Sequence, residues 1–221
     1  MRTNVYVDGF NLYYGAVRGT PYKWLNIRRM CELAFPRNEI AEIHDCTALV
    51  RDAPWDPQQS TRQQTFIRAL ETRPEIEVTY GSFLTSIKRM PLAPARSEDA
   101  NDPRLVSLVP GGPSGAVVVR TEEKGSDVNL ATMLVADAFR GDFEVAAVLS
   151  TDSDLALPIE LIRTDLGLPV GVLFPKKRYS VELARVATFK RTFDDRLLRQ
   201  CQFAHSLVDA AGRTITKPRG W

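Results

Sequence analysis

Cysteine and histidine are scarce in this chain, which holds three cysteines and two histidines among 221 residues. Cys31, Cys46 and Cys201 are odd in number and lack metal-ligand spacing, so we expect reduced thiols and no disulfide framework. His44 and His205 lie far apart in the sequence, which argues against a zinc centre. The pattern of a serine or cysteine catalytic triad is also absent.

The chain also lacks long apolar runs and a large charge of one sign. No apolar run approaches the roughly 18 residues that a membrane span needs, and no signal-peptide pattern precedes the first strand. We therefore expect a cytoplasmic protein without a membrane partner. Lys and Arg outnumber Asp and Glu by 29 to 27, which leaves room for a local basic rim around an acidic site. Glycine-rich phosphate loops of the Walker and dinucleotide types are missing too.

Strand-like and helix-like segments alternate along most of the chain. Strands are expected at residues 4–8, 40–50, 75–84, 116–120, 145–149 and 169–174. Helices are expected at residues 24–35, 58–71, 128–140, 155–165, 180–187 and 194–203. This alternation predicts an α/β fold, a single Rossmann-like α/β/α sandwich with a mainly parallel sheet. We assign residues 1–201 to one domain and residues 202–221 to a C-terminal tail, in which Trp221 is the candidate for docking onto the core.

Residues 85–115 interrupt the alternation with many prolines and glycines, which predicts an irregular excursion or a short hairpin. Its basic residues, Lys88, Arg89, Arg96 and Arg104, are compatible with a flap over a polyanionic substrate or with a solvated loop. The short basic groups at 176–178 and 190–191 are open to the same two interpretations.

Acidic residues follow two apolar runs at the point where each run ends. Residues 5–7 lead to Asp8, and residues 145–149 lead to Asp152 and Asp154. Ligands bind at the carboxyl ends of strands in open α/β sheets. If the two strands are parallel neighbours, the three carboxylates therefore crowd into one cleft. Their repulsion is relieved by a cation, and carboxylate oxygens suit Mg²⁺ or Mn²⁺.

The helix expected at 128–140 brings a further acid, Asp127, in its first turn, with Ser126 as the expected N-cap. Lys124 adds a nearby positive group suited to phosphate. Each acidic group also has a local interpretation. Asp8 and residues 150–154 could cap the helices that follow them, and Asp127 could complement the helix dipole.

Three motifs together resemble the NYN domain family, a branch of the PIN-like nuclease superfamily, over about residues 4–190. They are Val7-Asp8-Gly9-Phe10-Asn11-Leu12, Thr121-Glu122-Glu123-Lys124-Gly125-Ser126-Asp127-Val128-Asn129-Leu130 and Ser150-Thr151-Asp152-Ser153-Asp154-Leu155. The resemblance implies a metal-dependent ribonuclease. Its metal site would comprise Asp8, Asp127, Asp152 and Asp154, and its substrate-binding residues would be Asn11, Lys124 and Ser150.

The expected function is thus an endoribonuclease that uses Mg²⁺ or Mn²⁺ to hydrolyse single-stranded or looped RNA, leaving a 5′-phosphate and a 3′-hydroxyl. DNA as a further substrate and a homodimer stay open. One alternative is a non-catalytic scaffold that binds metal and RNA. Another is a small-molecule metal-dependent phosphatase, but Phe10 stands where phosphatases with an aspartyl nucleophile carry a second aspartate.

Overall fold

The computed structural model describes residues 1–94, 107, 111–175 and 179–221. They form two compact units, Met1–Ser82 with Lys124–Trp221, and Phe83–Glu123. Arg96, Arg104 and the basic group at 176–178 lie outside the described residues. No helix in the described ranges is both long and apolar enough to cross a membrane.

The described strands are β1 (Arg2–Asp8), β2 (Glu39–Thr47), β3 (Ile76–Tyr80), β4 (Ser82–Pro91), β5 (Gly115–Lys124), β6 (Val145–Leu149), β7 (Val170–Pro175), β8 (Phe189–Phe193), β9 (Ser206–Val208) and β10 (Thr214–Thr216). The described helices are α1 (Gly9–Leu12), α2 (Ile27–Ala34), α3 (Gln59–Leu70), α4 (Ser126–Arg140), α5 (Ala156–Asp165), α6 (Val181–Val186) and α7 (Asp195–Gln200). A π-helical turn spans Tyr13–Val17 and a 3₁₀ turn spans Ser153–Leu155.

A six-stranded sheet in the order β3-β2-β1-β6-β7-β8 forms the centre of the larger unit. Every pairing in it is parallel. Helices pack on both faces, which confirms the predicted α/β/α sandwich. The strand order also reverses direction between β1 and β6, so their carboxyl ends flank the crevice where sheets of this kind bind ligands.

Alternating apolar side chains divide the core into two layers. Val5 and Val7 of β1 face a cluster that includes α2, α3 and α7, whereas Tyr6 faces a cluster that includes α4, α5 and α6. All three side chains are fully buried. Because both faces of the central strands are covered, these strands are near-continuous apolar runs.

Several elements differ from the sequence expectation. The strand expected at 75–84 ends at Tyr80, and β4 begins at Ser82. The strand expected at 116–120 is longer and pairs with β4 in a separate two-stranded sheet. Gly125, with φ of +97°, holds the N-cap position of α4, so Ser126 is the first helical residue and the N-cap prediction was wrong.

The smaller unit contains most of β4 and β5. Within it, the hydroxyls of Thr85 and Thr121 lie 3.1 Å apart, and Lys88 forms an ion pair with Glu122 at 3.8 Å. The predicted excursion therefore begins as strand β4, through Pro91, and ends where β5 begins at Gly115.

The tail is folded onto the larger unit. β9 and β10 pair as an antiparallel hairpin, and Ile215 of β10 is 1% exposed. The ring of Trp221 lies 5.7 Å from that of Phe66 between centroids. Trp221 thus docks as the sequence suggested.

Candidate active site at the carboxyl edge of the sheet

Asp8 ends β1 and is almost buried, with 6% of its surface exposed. Its Oδ1 accepts a hydrogen bond from the backbone N–H of Asn11 at 2.8 Å, which caps α1. Its Oδ2 accepts a hydrogen bond from the Ser150 hydroxyl at 2.9 Å. Capping therefore accounts for one oxygen of Asp8, while the other is bonded to the loop that follows β6.

Residues 150–154 form that loop, and two further bonds tie it in place. The Ser150 hydroxyl also accepts the backbone N–H of Asp152 at 3.0 Å, and the Thr151 hydroxyl donates to Oδ1 of Asn11 at 3.1 Å. The carboxylate of Asp152 caps the 3₁₀ turn by accepting the backbone N–H of Asp154 at 3.0 Å. The structure thus brings Asp8, Asn11, Ser150 and Asp152 together, whereas Asp154 is an exposed residue of the turn.

Asp127 lies half-buried in the first turn of α4, a helix that contacts β1, β2 and β3. Burial, followed by the charges of Asp45, Asp8 and Asp127, raises the pKa of the Cys46 thiol to about 12. Asp127 is therefore close enough to the end of β2 for its charge to act there. Lys124 is exposed at the end of β5, two residues before the helix.

Asp45 is a further acidic residue of this region, which the sequence reasoning assigned only to a strand. It is 4% exposed on β2, and its Oδ1 has no hydrogen-bond partner among the described residues. Burial, and then the charge of Asp8, raises the pKa of its carboxyl to about 7. An acid near the end of a strand-like segment, in Ile43-His44-Asp45-Cys46, was the signal that could have identified it.

Gly9 lets the start of α1 lie close to the end of β2, beside these acids. A Cβ at Gly9 would lie 3.1 Å from the backbone oxygen of Cys46 and 3.2 Å from Oδ1 of Asp45. A side chain there would crowd the strand and the buried carboxyl.

The donor atoms of the site suit a hard divalent cation, because carboxylate oxygens are the preferred ligands of Mg²⁺ and Mn²⁺. The buried Oδ1 of Asp45, which feels the charge of Asp8, also accepts no hydrogen bond from the described residues. However, no three histidine, cysteine or acidic side chains in the described part of the chain are placed to hold one metal ion. The chemistry fits a metal, but these carboxylates do not converge as they stand.

A cavity of about 680 Å³ adjoins the acidic residues, with Gly9 and Asp45 in its wall. Its aromatic lining residues are Phe10, Tyr13, Tyr14, Trp55, Phe66 and Trp221. Its cationic lining residues are Arg18, Lys23, Arg62 and Arg219. The volume lies within the usual range for small-molecule sites, which is about 300–1,000 Å³.

The π-helical turn, which follows α1 directly, supplies one wall of the cavity together with Phe10 of α1. The rings of Phe10 and Tyr14 are stacked with centroids 6.2 Å apart, and the guanidinium of Arg18 lies 5.2 Å from the Tyr14 centroid. Helical turns of this kind occur frequently at functional sites.

The loop between β2 and α3 supplies another part of the lining and carries Trp55, which is 85% exposed. The side chain of Gln63 donates to the oxygen of Ala48 at 2.9 Å and accepts the N–H of Val50 at 2.8 Å. The carboxylate of Asp52 accepts the backbone N–H of Ser60 at 3.0 Å. These bonds fix both ends of the loop.

Comparison with known proteins agrees with this architecture. The 6-hydroxy-3-succinoylpyridine 3-monooxygenase of Pseudomonas putida is 26% identical over all of this chain and 75% of that protein. A crystal structure of a protein of unknown function from Vibrio parahaemolyticus has a TM-score of 0.53 at 19% identity, over 88% of this chain and 93% of that one. This second likeness concerns the fold alone. The model of the NYN domain matches residues 2–194, so the chain belongs to the NYN domain family.

Proposed function

We propose that the protein is a metal-dependent endoribonuclease that hydrolyses single-stranded or looped RNA. The observation that carries the proposal is the hydrogen bond from Ser150 to Asp8, which joins the ends of β1 and β6 at the reversal of strand order. In a chain with the nuclease-like NYN fold, this crevice is the expected place for an acidic active site.

Asp8, Asp127, Asp152 and Asp154 would hold Mg²⁺ or Mn²⁺ once their carboxylates turn towards one ion, since no three of these described residues are placed around a common point as they stand. When bound, such an ion lowers the pKa of a coordinated water and polarises the scissile phosphate. Ser150 orients Asp8 by donating to Oδ2. The bond from Thr151 to Oδ1 of Asn11 leaves the Asn11 amide nitrogen as the group that can donate to a phosphate oxygen.

Lys124 and Asp45 have separate roles in the proposal. Lys124 is exposed, and its ammonium group suits a phosphate as a point charge. Asp45, with a pKa of about 7, exchanges a proton near neutral pH and so adjusts the negative charge beside Asp8.

The test is cleavage of end-labelled single-stranded RNA in Mn²⁺, in Mg²⁺ and in EDTA, with analysis of the product ends. We expect cutting that requires metal, leaves a 5′-phosphate and is lost in Asp152→Asn. Asp209→Asn is the matched control, because Asp209 also accepts backbone N–H groups but lies in the β9–β10 hairpin. A DNA strand of the same sequence shows whether the 2′-hydroxyl is needed.

Equal inertness of the wild type and Asp152→Asn on RNA would contradict the proposal. Metal and RNA binding without turnover would then favour the scaffold alternative. Turnover of small phosphate esters in place of RNA would favour the phosphatase.

A second candidate function is oxygenation of a heteroaromatic acid. It is favoured by the cavity, whose aromatic and cationic lining suits a ring that carries a carboxylate, and by the similarity to the Pseudomonas putida monooxygenase over all of this chain and 75% of that protein. The test supplies 6-hydroxy-3-succinoylpyridine, oxygen and a reduced nicotinamide, and analyses the mixture by mass spectrometry. Absence of any oxygenated product would remove this candidate.

A further inference from the structure

We propose that the cavity beside Asp8 binds one unstacked nucleotide of a single-stranded RNA, with the base between aromatic side chains and its phosphate near the cationic ones. This inference rests on the proposed use of RNA as the ligand, and it adds a subsite for the base. It predicts that the protein selects strands whose bases are free to leave the stack.

The aromatic surfaces that a base needs are already exposed in the cavity lining. Trp55 is 85% exposed and Tyr14 is 49% exposed. Both residues line one cavity, so a ligand that enters it can contact their exposed rings. Single-stranded bases stack on such rings irrespective of sequence, because every base has a π-face.

The charge of the lining favours an anion. Four cationic residues face two acids, Asp45 and Asp56. Asp56 forms an ion pair with Arg62, which leaves Asp45 against three cationic residues of the described lining. The charges of Arg18, Lys23 and Arg219 therefore set the sign of the potential, which suits a phosphate.

The cavity lies next to the acidic residues, so a base bound in it would be near them. Gly9, in the cavity wall, directly follows Asp8 in the chain, and Asp45 lies in the wall and within electrostatic range of Asp8. Phe10 and Tyr14 belong to the segment that begins at Asp8. A nucleotide seated in the cavity would thus place a neighbouring phosphate towards the acidic site.

The lining is held in place before any ligand arrives. Gln63 fixes the segment after β2, Asp52 fixes the start of α3, and Trp55 lies between them. Tyr14 is fixed by the π-helical turn and by its contacts with Phe10 and Arg18. Ordering these groups in advance lowers the entropic cost of binding.

The experiment measures binding of a fluorescent ten-nucleotide RNA to the full chain by anisotropy, in EDTA so that no cleavage occurs. We expect Trp55→Ala and Tyr14→Leu each to weaken binding by about 5- to 100-fold, as loss of a stacking platform does. Phe139→Ala is the matched control, because Phe139 is 63% exposed on α4 and does not line the cavity. This control should bind as the wild type does.

Two further ligands identify what the cavity recognises. An RNA with one abasic ribose should bind the wild type less tightly than the intact strand, and this difference should shrink in Trp55→Ala. A fully paired duplex of the same sequence should bind more weakly than the single strand. Nicotinate, a small aromatic anion, serves as the competing probe.

Equal affinities of Trp55→Ala, Tyr14→Leu and Phe139→Ala for RNA would overturn the inference. The inference would also be overturned if Trp55→Ala weakened the binding of nicotinate but left the binding of RNA unchanged. The ribonuclease proposal can fail separately. RNA binding that depends on Trp55, without cleavage in Mn²⁺, would support the base subsite and contradict the ribonuclease activity. RNA cleavage that is unaffected by the cavity substitutions would support the ribonuclease activity and contradict the base subsite.

Discussion

Asp8 and Asp45 form a pair of buried carboxyl groups at the ends of neighbouring strands. Asp8 receives two hydrogen bonds, whereas Oδ1 of Asp45 has no partner among the described residues. The two residues therefore differ in their surroundings, and burial together with the charge of Asp8 raises the pKa of Asp45, so that it retains its proton more readily than an ordinary aspartate.

Asp45 should make the folded state less stable as the pH rises. A folded pKa of about 7, above the usual 3.8, means that the native state binds the extra proton between these values. Stability that is present at pH 4 is then lost as the pH rises to 7. The shift corresponds to a loss on the order of 4 kcal/mol.

Urea unfolding of the wild type and of Asp45→Asn at pH 4 and pH 8, in EDTA, measures this loss. We expect the wild type to lose stability relative to the variant by several kcal/mol between the two pH values. Parallel pH profiles of the two proteins would show that Asp45 has an ordinary pKa.

The sequence predicted some of these residues and not others, for a physical reason. Asp8, Asp152 and Asp154 follow apolar runs, so their position at strand ends was recognisable. Asp45 lies two residues before the end of β2, between the buried His44 and Cys46, where a strand pattern predicts packing. Its proximity to Asp8 depends on the parallel register of β1 and β2, which no local pattern specifies.

At the scale of elements, β7 and β8 show how a glycine and an aromatic residue fit together across a sheet. Gly171 pairs with Phe189, and a Cβ on Gly171 would lie 2.2 Å from atoms of the Phe189 ring. The ring therefore covers the space that a side chain on β7 would fill. It also contacts Phe35 edge-on, with centroids 6.1 Å apart.

Gly171→Ala should therefore destabilise the protein by about 1–3 kcal/mol, because the new methyl group displaces the Phe189 ring. In a Phe189→Ala background the same substitution should cost much less, since the ring is gone. Thermal or urea unfolding of the four proteins in this cycle measures the coupling. Additive effects would show that the ring does not occupy the space over Gly171.

Some strands and helix starts were missed because local sequence patterns do not indicate them. β8 was missed because Lys190 and Arg191 stand in the middle of a five-residue edge strand, and such charges normally indicate a loop. Gly125 was not recognised as the residue before α4, because its left-handed backbone replaces the usual side-chain cap. The apolar strands and the amphipathic helices were predicted, because their packing repeats with a regular period.

At the scale of the whole molecule, the tail belongs to the larger unit. Ile215 and Trp221 pack against the cluster that also contains α2, α3 and α7. The sequence indicated the docking of Trp221 but not the hairpin, since each of its strands has only three residues.

Ile215→Ala should destabilise the larger unit by about 2–5 kcal/mol, the usual cost of emptying a buried aliphatic site. Val208→Ala in the partner strand is the control, because Val208 is 64% exposed and should change the free energy of unfolding by no more than about 0.5 kcal/mol. Chemical denaturation of both variants gives the comparison. Equal, small effects would mean that the tail is not packed on the core.

The central claim is that the acidic edge between β1 and β6 cuts RNA, and Asp8→Asn tests it most directly. The variant retains an oxygen to cap α1, but its amide nitrogen cannot accept the Ser150 hydroxyl, so we expect it to be less stable than the wild type by about 1–3 kcal/mol and still folded. The measurement is the rate of RNA cleavage in Mn²⁺ for both proteins at equal folded concentration. We predict a loss of at least about 100-fold in Asp8→Asn, and a rate equal to that of the wild type would contradict the account.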